Sequence, residues 1–429
     1  MECHLDYWAA GKWQPLATVS APKAGGFVIT YEHDYAIAQI GAIDARAISA
    51  SLPVALRPYT FDRWPAFLRD LIPQGESRKR LARLLGIADT AEQDWTLLTH
   101  GGGNPIGHLR VREAAEWLHH QGSSGVGWTL DDITNREDSF LDALECLGPT
   151  PGNGSQGEWP KVMLTEARNG RWYLDHELPD AEAVRHWIVK LPRRSAPVFD
   201  LILRGEAAYH RVACDLGLTV GETQHHNGAL FIERFDRRLS TGGGVQRIAQ
   251  ESLYAAAGCL GSDTELTHRQ ACQQLNKIMT HPEPAILQYV WRDLLNLALG
   301  NRDNHGRNTA IQRFEGVQED GMVALAPVFD LAPMLMHPDG VVRRMRWGQE
   351  NGSRPDWRAV AEWLDEEQLL PQALLLGQLP VWQEALATLP GLLKQYDCPP
   401  EVLARIDAPH TECLQNLKEA IAWTNALRP

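Results

Sequence analysis

Residues 284–299 place Leu287, Val290, Trp291, Leu294, Leu295 and Ala298 along one helical face, and the run stops at Gly300. A helix with that face has to be buried, and a glycine just past its end is a natural stop. The next segment is the opposite in character: Asn301-Arg302-Asp303-Asn304-His305-Gly306-Arg307-Asn308 carries no apolar side chain. A buried helix that delivers such a loop forces the fold to supply polar partners or a ligand, because unpaired polar groups inside a protein are costly. A little further on, Val323-Ala324-Leu325-Ala326-Pro327-Val328-Phe329 brings an apolar stretch up to Asp330.

The segments before this helix are different. Gly26-Phe27-Val28-Ile29-Thr30-Tyr31, Lys161-Val162-Met163-Leu164-Thr165, Arg171-Trp172-Tyr173-Leu174 and His186-Trp187-Ile188-Val189-Lys190-Leu191 read as strands, and so does Ala229 to Asp236. Asn169-Gly170 and Asn227-Gly228 are hairpin signals. Helical spacing recurs over 61–86, with a break at Pro73-Gln74-Gly75, and again from Asp200 to Leu216, ending at Gly217. Glycines crowd 101–107, and a Pro/Gly-rich loop runs from Gly148 to Pro160. From about 248 onward the chain is mostly helical in character, and its C-terminal hundred residues read as amphipathic helices broken by prolines. A strand-rich half followed by a helix-rich half predicts an α+β, two-lobed plan. The expected divisions are 1–145, 146–238 and 239–429. At 429 residues the chain is long enough for more than one domain.

Charge and cysteine usage narrow the function classes. A net charge of −13 argues against nucleic acid as the main partner, since phosphate binding needs a basic surface. The seven cysteines form no Cys-x-x-Cys pair, so neither a disulfide framework nor a zinc site is expected, and reduced thiols in a cytoplasm are the plain reading. No apolar run reaches the roughly 18 residues of a membrane span, and no secretory signal is expected at the N-terminus.

Several segments carry candidate chemistry. Asp303 and Asn308 stand five apart in the polar loop, the Asp-x-x-x-x-Asn spacing of phosphoryl-transfer loops, in which the Asp takes the acceptor proton and the Asn reaches a metal. Asp330, after its apolar stretch, offers the hard oxygen that Mg²⁺ prefers. Lys190, on a strand, can meet nucleotide phosphates, and Glu206 on the following helix is placed to pair with it. Gly152-Asn153-Gly154-Ser155-Gln156-Gly157 can crowd backbone N–H groups around phosphate and leads to Lys161. Glu233-Arg234-Phe235-Asp236-Arg237 can border an adenine, with Phe235 as an apolar wall. Each segment alone has a plainer reading, as a turn, a linker or a charged edge. What distinguishes them is their order along the chain, which is the order an ATP site of kinase type requires.

On these segments the chain resembles the HipA family of bacterial serine/threonine kinases, the toxin half of HipBA-type toxin–antitoxin systems. The residues that carry the likeness are His186 to Pro192, Ile232 to Arg238, Gly300 to Asn308 and Pro327 to Asp330. The resemblance implies a two-lobed kinase-like fold, ATP and Mg²⁺ as cofactors, and phosphorylation of a protein serine or threonine. It places Asp303 as catalytic base and Asn308 and Asp330 on magnesium. Gly154, Ser155, Lys161, Lys190, Glu233, Phe235 and His305 fall around the nucleotide. It also implies a small helix-turn-helix antitoxin of HipB type as partner, with DNA reached only through it. Two departures stand out. The family's loop often reads Ser-x-x-Gly-x-Gln-x-Lys with an autophosphorylated serine; here Gly157 matches, Trp159 replaces the glutamine, and Gly154 takes the serine position with Ser155 beside it. Arg307 stands where the family commonly has lysine, which keeps the charge but changes its geometry. A small-molecule phosphotransferase on the same plan, or an inactive kinase-like module working with a helix-turn-helix regulator, are the alternative functions.

Overall fold

The structure is a computed structural model that describes residues 1–22, 25–147, 161–192, 197–240, 244–260, 266–316, 321–348, 350–351 and 354–426. The segment holding Gly154 and Ser155 lies outside the described residues.

Strands β1 (Glu2–Ala9), β2 (Lys12–Ser20), β3 (Phe27–Tyr31), β4 (Tyr59–Phe61) and β5 (Leu109–Val111) form an antiparallel sheet in the order β4-β3-β2-β1-β5. Its inward residues, among them Leu5, Leu16, Val19 and Ile29, pack on the Gly75–Leu85 and Asp94–Gly101 helices. The helical break expected at Pro73-Gln74-Gly75 separates Leu68–Leu71 from Gly75–Leu85. Residues 128–144 pack elsewhere: Trp128, Ile133 and Phe140 join the core of a second sheet.

That second sheet holds β6 (Lys161–Ala167), β7 (Trp172–Leu174), β8 (Ala183–Lys190), β9 (Thr223–His226) and β10 (Ala229–Glu233), in the order β7-β6-β8-β10-β9. Asn169-Gly170 and Asn227-Gly228 make its hairpin turns, and Asn227 and Gly228 adopt φ of 45° and 83°, the left-handed pair such a tight turn needs. The Pro197–Asp215 helix crosses between β8 and β9 and buries Ile202, Leu203, Tyr209 and Val212. A small hairpin, β11 (Arg237–Leu239) and β12 (Val245–Arg247), follows; then β13 (Ala249–Ser252), β14 (Ala310–Arg313) and β15 (Val323–Leu325) make a three-stranded sheet.

The remaining core is helical. The Pro282–Ala298 helix buries Val290, Trp291, Leu294, Leu295 and Ala298, and the Gln372–Ala387 and Pro400–Ala426 helices pack around it. The apolar stretch before Asp330 is a strand only to Leu325; beyond it, the Val328 N–H bonds to the Thr219 carbonyl at 2.7 Å and ties the segment to the helix–β9 connection.

The first sheet is latched to both other parts by buried polar contacts. Asp236 accepts from the Gly107 N–H at 2.7 Å, and Arg237 donates to the Gly107 carbonyl at 2.8 Å. Glu251 accepts from the Ser49 hydroxyl at 2.6 Å, and Arg313 donates to the carbonyls of Asp44 and Ala47. Among the described residues no helix is long and apolar enough to cross a membrane.

Candidate active site

Lys161 on β6 and Lys190 on β8 are register partners across the antiparallel ladder, so their side chains leave the same face of the sheet. Like charges directly opposed weaken a sheet unless an anion lies between them. Here that anion is Asp330. Its Oδ1 lies 2.5 Å from Lys190 Nζ, and both of its oxygens lie 3.2 Å from Lys161 Nζ. Lys190 also bonds Glu206, which reaches it from the Pro197–Asp215 helix.

Burial alone would lower the Lys190 ammonium, but the carboxylates of Asp330 and Glu206 outweigh it and hold it above its ordinary value. For Asp330, burial is opposed and overcome by Lys161 and Lys190, which keep the carboxyl ionised well below the usual range. Asp330 sits at φ 52°, a region sparsely used by non-glycine residues. Such backbone strain is tolerated where the surroundings over-determine the conformation, as the two lysines and a second contact from Asn301 do here.

The polar loop is built by its helix and by the β13 region. Gly300, at φ 66°, ends the Pro282–Ala298 helix and turns the chain. Asn301 then joins the parts: its amide donates to Asn296 Oδ1 at 2.7 Å and to the Asp330 carbonyl at 3.2 Å, while its Oδ1 accepts from the Asp303 N–H. Asn304 donates to Asp293 at 2.9 Å, and Asp293 is held in turn by Trp347 and Arg343. The Tyr254 N–H bonds the Gly306 carbonyl and pins the far side of the loop.

This frame sets the carboxyl of Asp303 in a partly enclosed position. Burial, with the Asp330 carboxylate adding to it, pushes that carboxyl up to about 6. His305 Nδ1 accepts from the Arg307 N–H at 3.3 Å, which puts the ring proton on Nε2, 3.4 Å from Asp303 Oδ1. Burial, and then Arg307, lower this imidazole to about 4, so it is neutral near pH 7. It stacks on Tyr254 at a centroid distance of 6.0 Å.

Asn308 donates from Nδ2 to the Asp303 carbonyl at 2.8 Å, but its buried Oδ1 has no hydrogen-bond partner. An orphaned buried acceptor on the loop that carries Asp303 fits a hard cation. So does the donor set: Asp330 and the Asn308 amide oxygen are the oxygens Mg²⁺ takes when substrate phosphates and water complete its shell. No cluster of three His, Cys, Asp or Glu side chains that could cage a metal alone occurs among the described residues.

The apolar end of the cleft is walled by Met163, Ile188, Ile232, Phe235 and Phe329, with Lys161, Lys190 and Asp330 at its polar end. Phe235 and Phe329 approach at 5.9 Å between ring centroids. Glu233 ends β10 half-buried and leaves the wall to its neighbours Ile232 and Phe235. Arg307 turns away from the carboxylates and donates to the Leu260 carbonyl at 3.1 Å. Sequence reasoning passed over Asn301, Asn304 and Asp293. The available signal for Asp293 was an acid set between Val290, Trp291, Leu294 and Leu295 on a buried face.

A strand-borne lysine paired to a helix glutamate, an Asp at the end of an apolar segment, and an Asp-x-x-x-x-Asn loop beside it are the parts from which kinase-like sites are built. Residues 154–376 match the HipA-like C-terminal domain, and residues 12–112 match the HipA N-terminal domain. The chain belongs to the HipA family. It is 28% identical over 315 residues to a Sinorhizobium fredii protein named "Putative kinase Y4mE", covering 68% of this chain and 69% of that one. Its fold matches HipA of Shewanella oneidensis MR-1, solved with HipB and operator DNA, at a TM-score of 0.67 and 18% identity over 99% of each chain.

Proposed function

We propose that the chain is an ATP-dependent serine/threonine protein kinase that works in a toxin–antitoxin module. The observation that carries this reading is the convergence of Lys190, Glu206 and Asp330 beneath an apolar cleft, with Asp303 and Asn308 on the adjoining loop. Adenine lies against the apolar wall of Met163, Ile188, Ile232 and Phe235. Lys161 and Lys190, opposed across the ladder, take the phosphates as point charges.

Asp330 and Asn308 would hold Mg²⁺, which when bound neutralises charge on the transferred phosphate. Asp303 accepts the proton of the acceptor hydroxyl as its oxygen attacks the γ-phosphorus. The bond to the β-phosphate oxygen breaks, ADP leaves, and a phosphoester forms. His305 Nε2, 3.4 Å from Asp303 Oδ1 and without a hydrogen-bond partner of its own, lies beside the base. Gly154 and Ser155 belong to the loop we assign to the phosphates, with Ser155 the candidate for autophosphorylation.

A small helix-turn-helix antitoxin is the proposed partner, supported by the HipB-bound relative of the same fold. A net charge of −13 supports contact with DNA only through that antitoxin. Cys3, Cys214, Cys259, Cys272, Cys398 and Cys413 are free thiols, which supports a reducing cytoplasmic setting. The test is transfer from labelled ATP in cell lysate with magnesium, comparing wild type with Asp303→Asn. A protein band labelled by wild type alone supports the reading. ATP binding without any protein labelling would move it to a metabolite kinase or an inactive module.

A further inference from the structure

A second cavity, of about 470 Å³, lies in the helical lobe and shares no lining residue with the nucleotide cleft. Its size is that of a ligand site rather than a packing void. Gly300, Asn301 and Arg302 form one wall, the Pro400–Ala426 helix another, and Arg354 a third side. Four guanidiniums face it, from Arg302, Arg343, Arg354 and Arg405, against the single carboxylate of Glu412.

These charges are unequally committed. Arg343 is held by Asp293 and Glu350, and Arg354 meets Glu412 at 3.2 Å with both side chains about half exposed. Arg302 and Arg405 are exposed, and their side chains make no ion pair or hydrogen bond with any described residue. In a chain of net charge −13, this is a local concentration of unneutralised positive charge.

Its position relates it to the reaction. Arg302 immediately precedes Asp303. Asn301, in the cavity wall, bonds both the Asp303 N–H and the Asp330 carbonyl. Asn301 therefore links the cavity wall to both Asp303 and Asp330, and an acceptor hydroxyl has to reach Asp303 from outside the nucleotide cleft.

We propose that the cavity receives an acidic segment of the acceptor protein, flanking the hydroxyl to be phosphorylated, with Arg302, Arg354 and Arg405 as its anchors. The proposal rests on the kinase reading above and adds the substrate class. The guanidiniums come from three separate segments and open to solvent, which suits carboxylates spaced along a chain better than one free anion. Guanidinium–carboxylate pairs give both charge and bidentate geometry.

The experiment uses the full chain and fluorescein-labelled peptides that contain one serine flanked by Asp/Glu, by Asn/Gln, or by Lys. Binding is followed by anisotropy and phosphorylation by labelled ATP. The acidic peptide should bind about tenfold or more tightly than its amide analogue, as the loss of one or two charge-assisted bonds implies. Arg405→Glu and Arg302→Glu should each abolish that preference while ATP affinity is unchanged. In phosphorylation, Arg405→Glu should raise KM with kcat retained. Equal binding of the three peptides, or a preference that survives both substitutions, would overturn the proposal. Displacement of the acidic peptide by inorganic phosphate at equal concentration would also overturn it and assign the cavity to a free anion. Tight, Arg405-dependent binding without phosphorylation would leave the docking site standing and remove the kinase reading instead.

Discussion

Lys161 and Lys190 stand opposite each other across the β6–β8 ladder, and both reach Asp330. Two buried ammonium groups on one sheet face are a standing demand for anions. Asp330 and Glu206 satisfy it in this arrangement, and phosphates can replace part of that contact. Lys190 is the hub, because it alone of the two is hydrogen-bonded to both carboxylates.

Lys190→Ala therefore has two separable effects. It leaves Glu206 without its ammonium partner in the interior, and breaking a buried pair in this way costs about 3–5 kcal/mol. It should also abolish phosphoryl transfer. Adding Glu206→Gln should return most of the lost stability and none of the transfer. Thermal melts and labelled-ATP assays on the single and double variants check this; recovered transfer would exclude a phosphate-binding role for Lys190.

Asp303→Asn should lower transfer by about 10²–10⁴, the usual contribution of a positioned base. It should also stabilise the protein. The carboxyl is raised from 3.8 to about 6 by burial and then Asp330, so its ionised form is disfavoured in the fold. A shift of this size corresponds to about 1–3 kcal/mol, at 1.36 kcal/mol per unit. A melting temperature below wild type would count against the assignment.

The same shift sets a pH dependence. The base works only when ionised, so kcat/KM should fall with decreasing pH through about 6, with a slope of one. Stability moves the other way. The folded state keeps a proton that the unfolded chain releases between 3.8 and about 6, so this group's contribution weakens the fold as pH rises through that window. A profile of kcat/KM that stays flat down to pH about 5 would show that Asp303 is not the base.

Asn308→Ala removes the unpartnered Oδ1 together with the bond to the Asp303 carbonyl. The magnesium concentration for half-maximal transfer should rise by about tenfold or more, the order of loss when a metal-site partner is removed. Stability should change by only about 0.5–1.5 kcal/mol, the worth of one hydrogen bond. An unchanged magnesium requirement would place the metal elsewhere.

Gly306→Ala tests the loop through packing. A Cβ at this position would fall well inside contact distance of the Tyr254 ring, which also stacks on His305. Overpacking of this kind costs about 1–3 kcal/mol. The expected outcome is a lower melting temperature with transfer reduced through the displaced loop. Tyr254→Leu in the same chain should relieve the clash and restore part of both.

Much of this was legible from residue order. The two-lobed plan, the buried 284–299 helix with its polar loop, both Asn-Gly hairpins and the Lys190–Glu206 pair follow from periodicity, turn chemistry and spacing. These are local rules: a hydrophobic face, a left-handed turn residue or a helix stop depends on neighbours within a few positions. Family resemblance then ordered the polar residues into one site.

What the chain could not show by itself is which distant groups share a charge. That Lys161 and Lys190 face one another depends on a ladder register, and that Asp330 lies between them depends on a segment well over a hundred residues further on. Arg307 has the charge expected beside the site, yet tertiary packing turns it to the Leu260 carbonyl. Asp293 looks like an anomaly on an apolar helix until Asn304, Trp347 and Arg343 close around it. Local sequence determined the elements and the kinds of chemistry they carry. Only the tertiary structure decided the partners, because Coulomb and hydrogen-bond energies depend on separations of a few ångströms that folding alone creates.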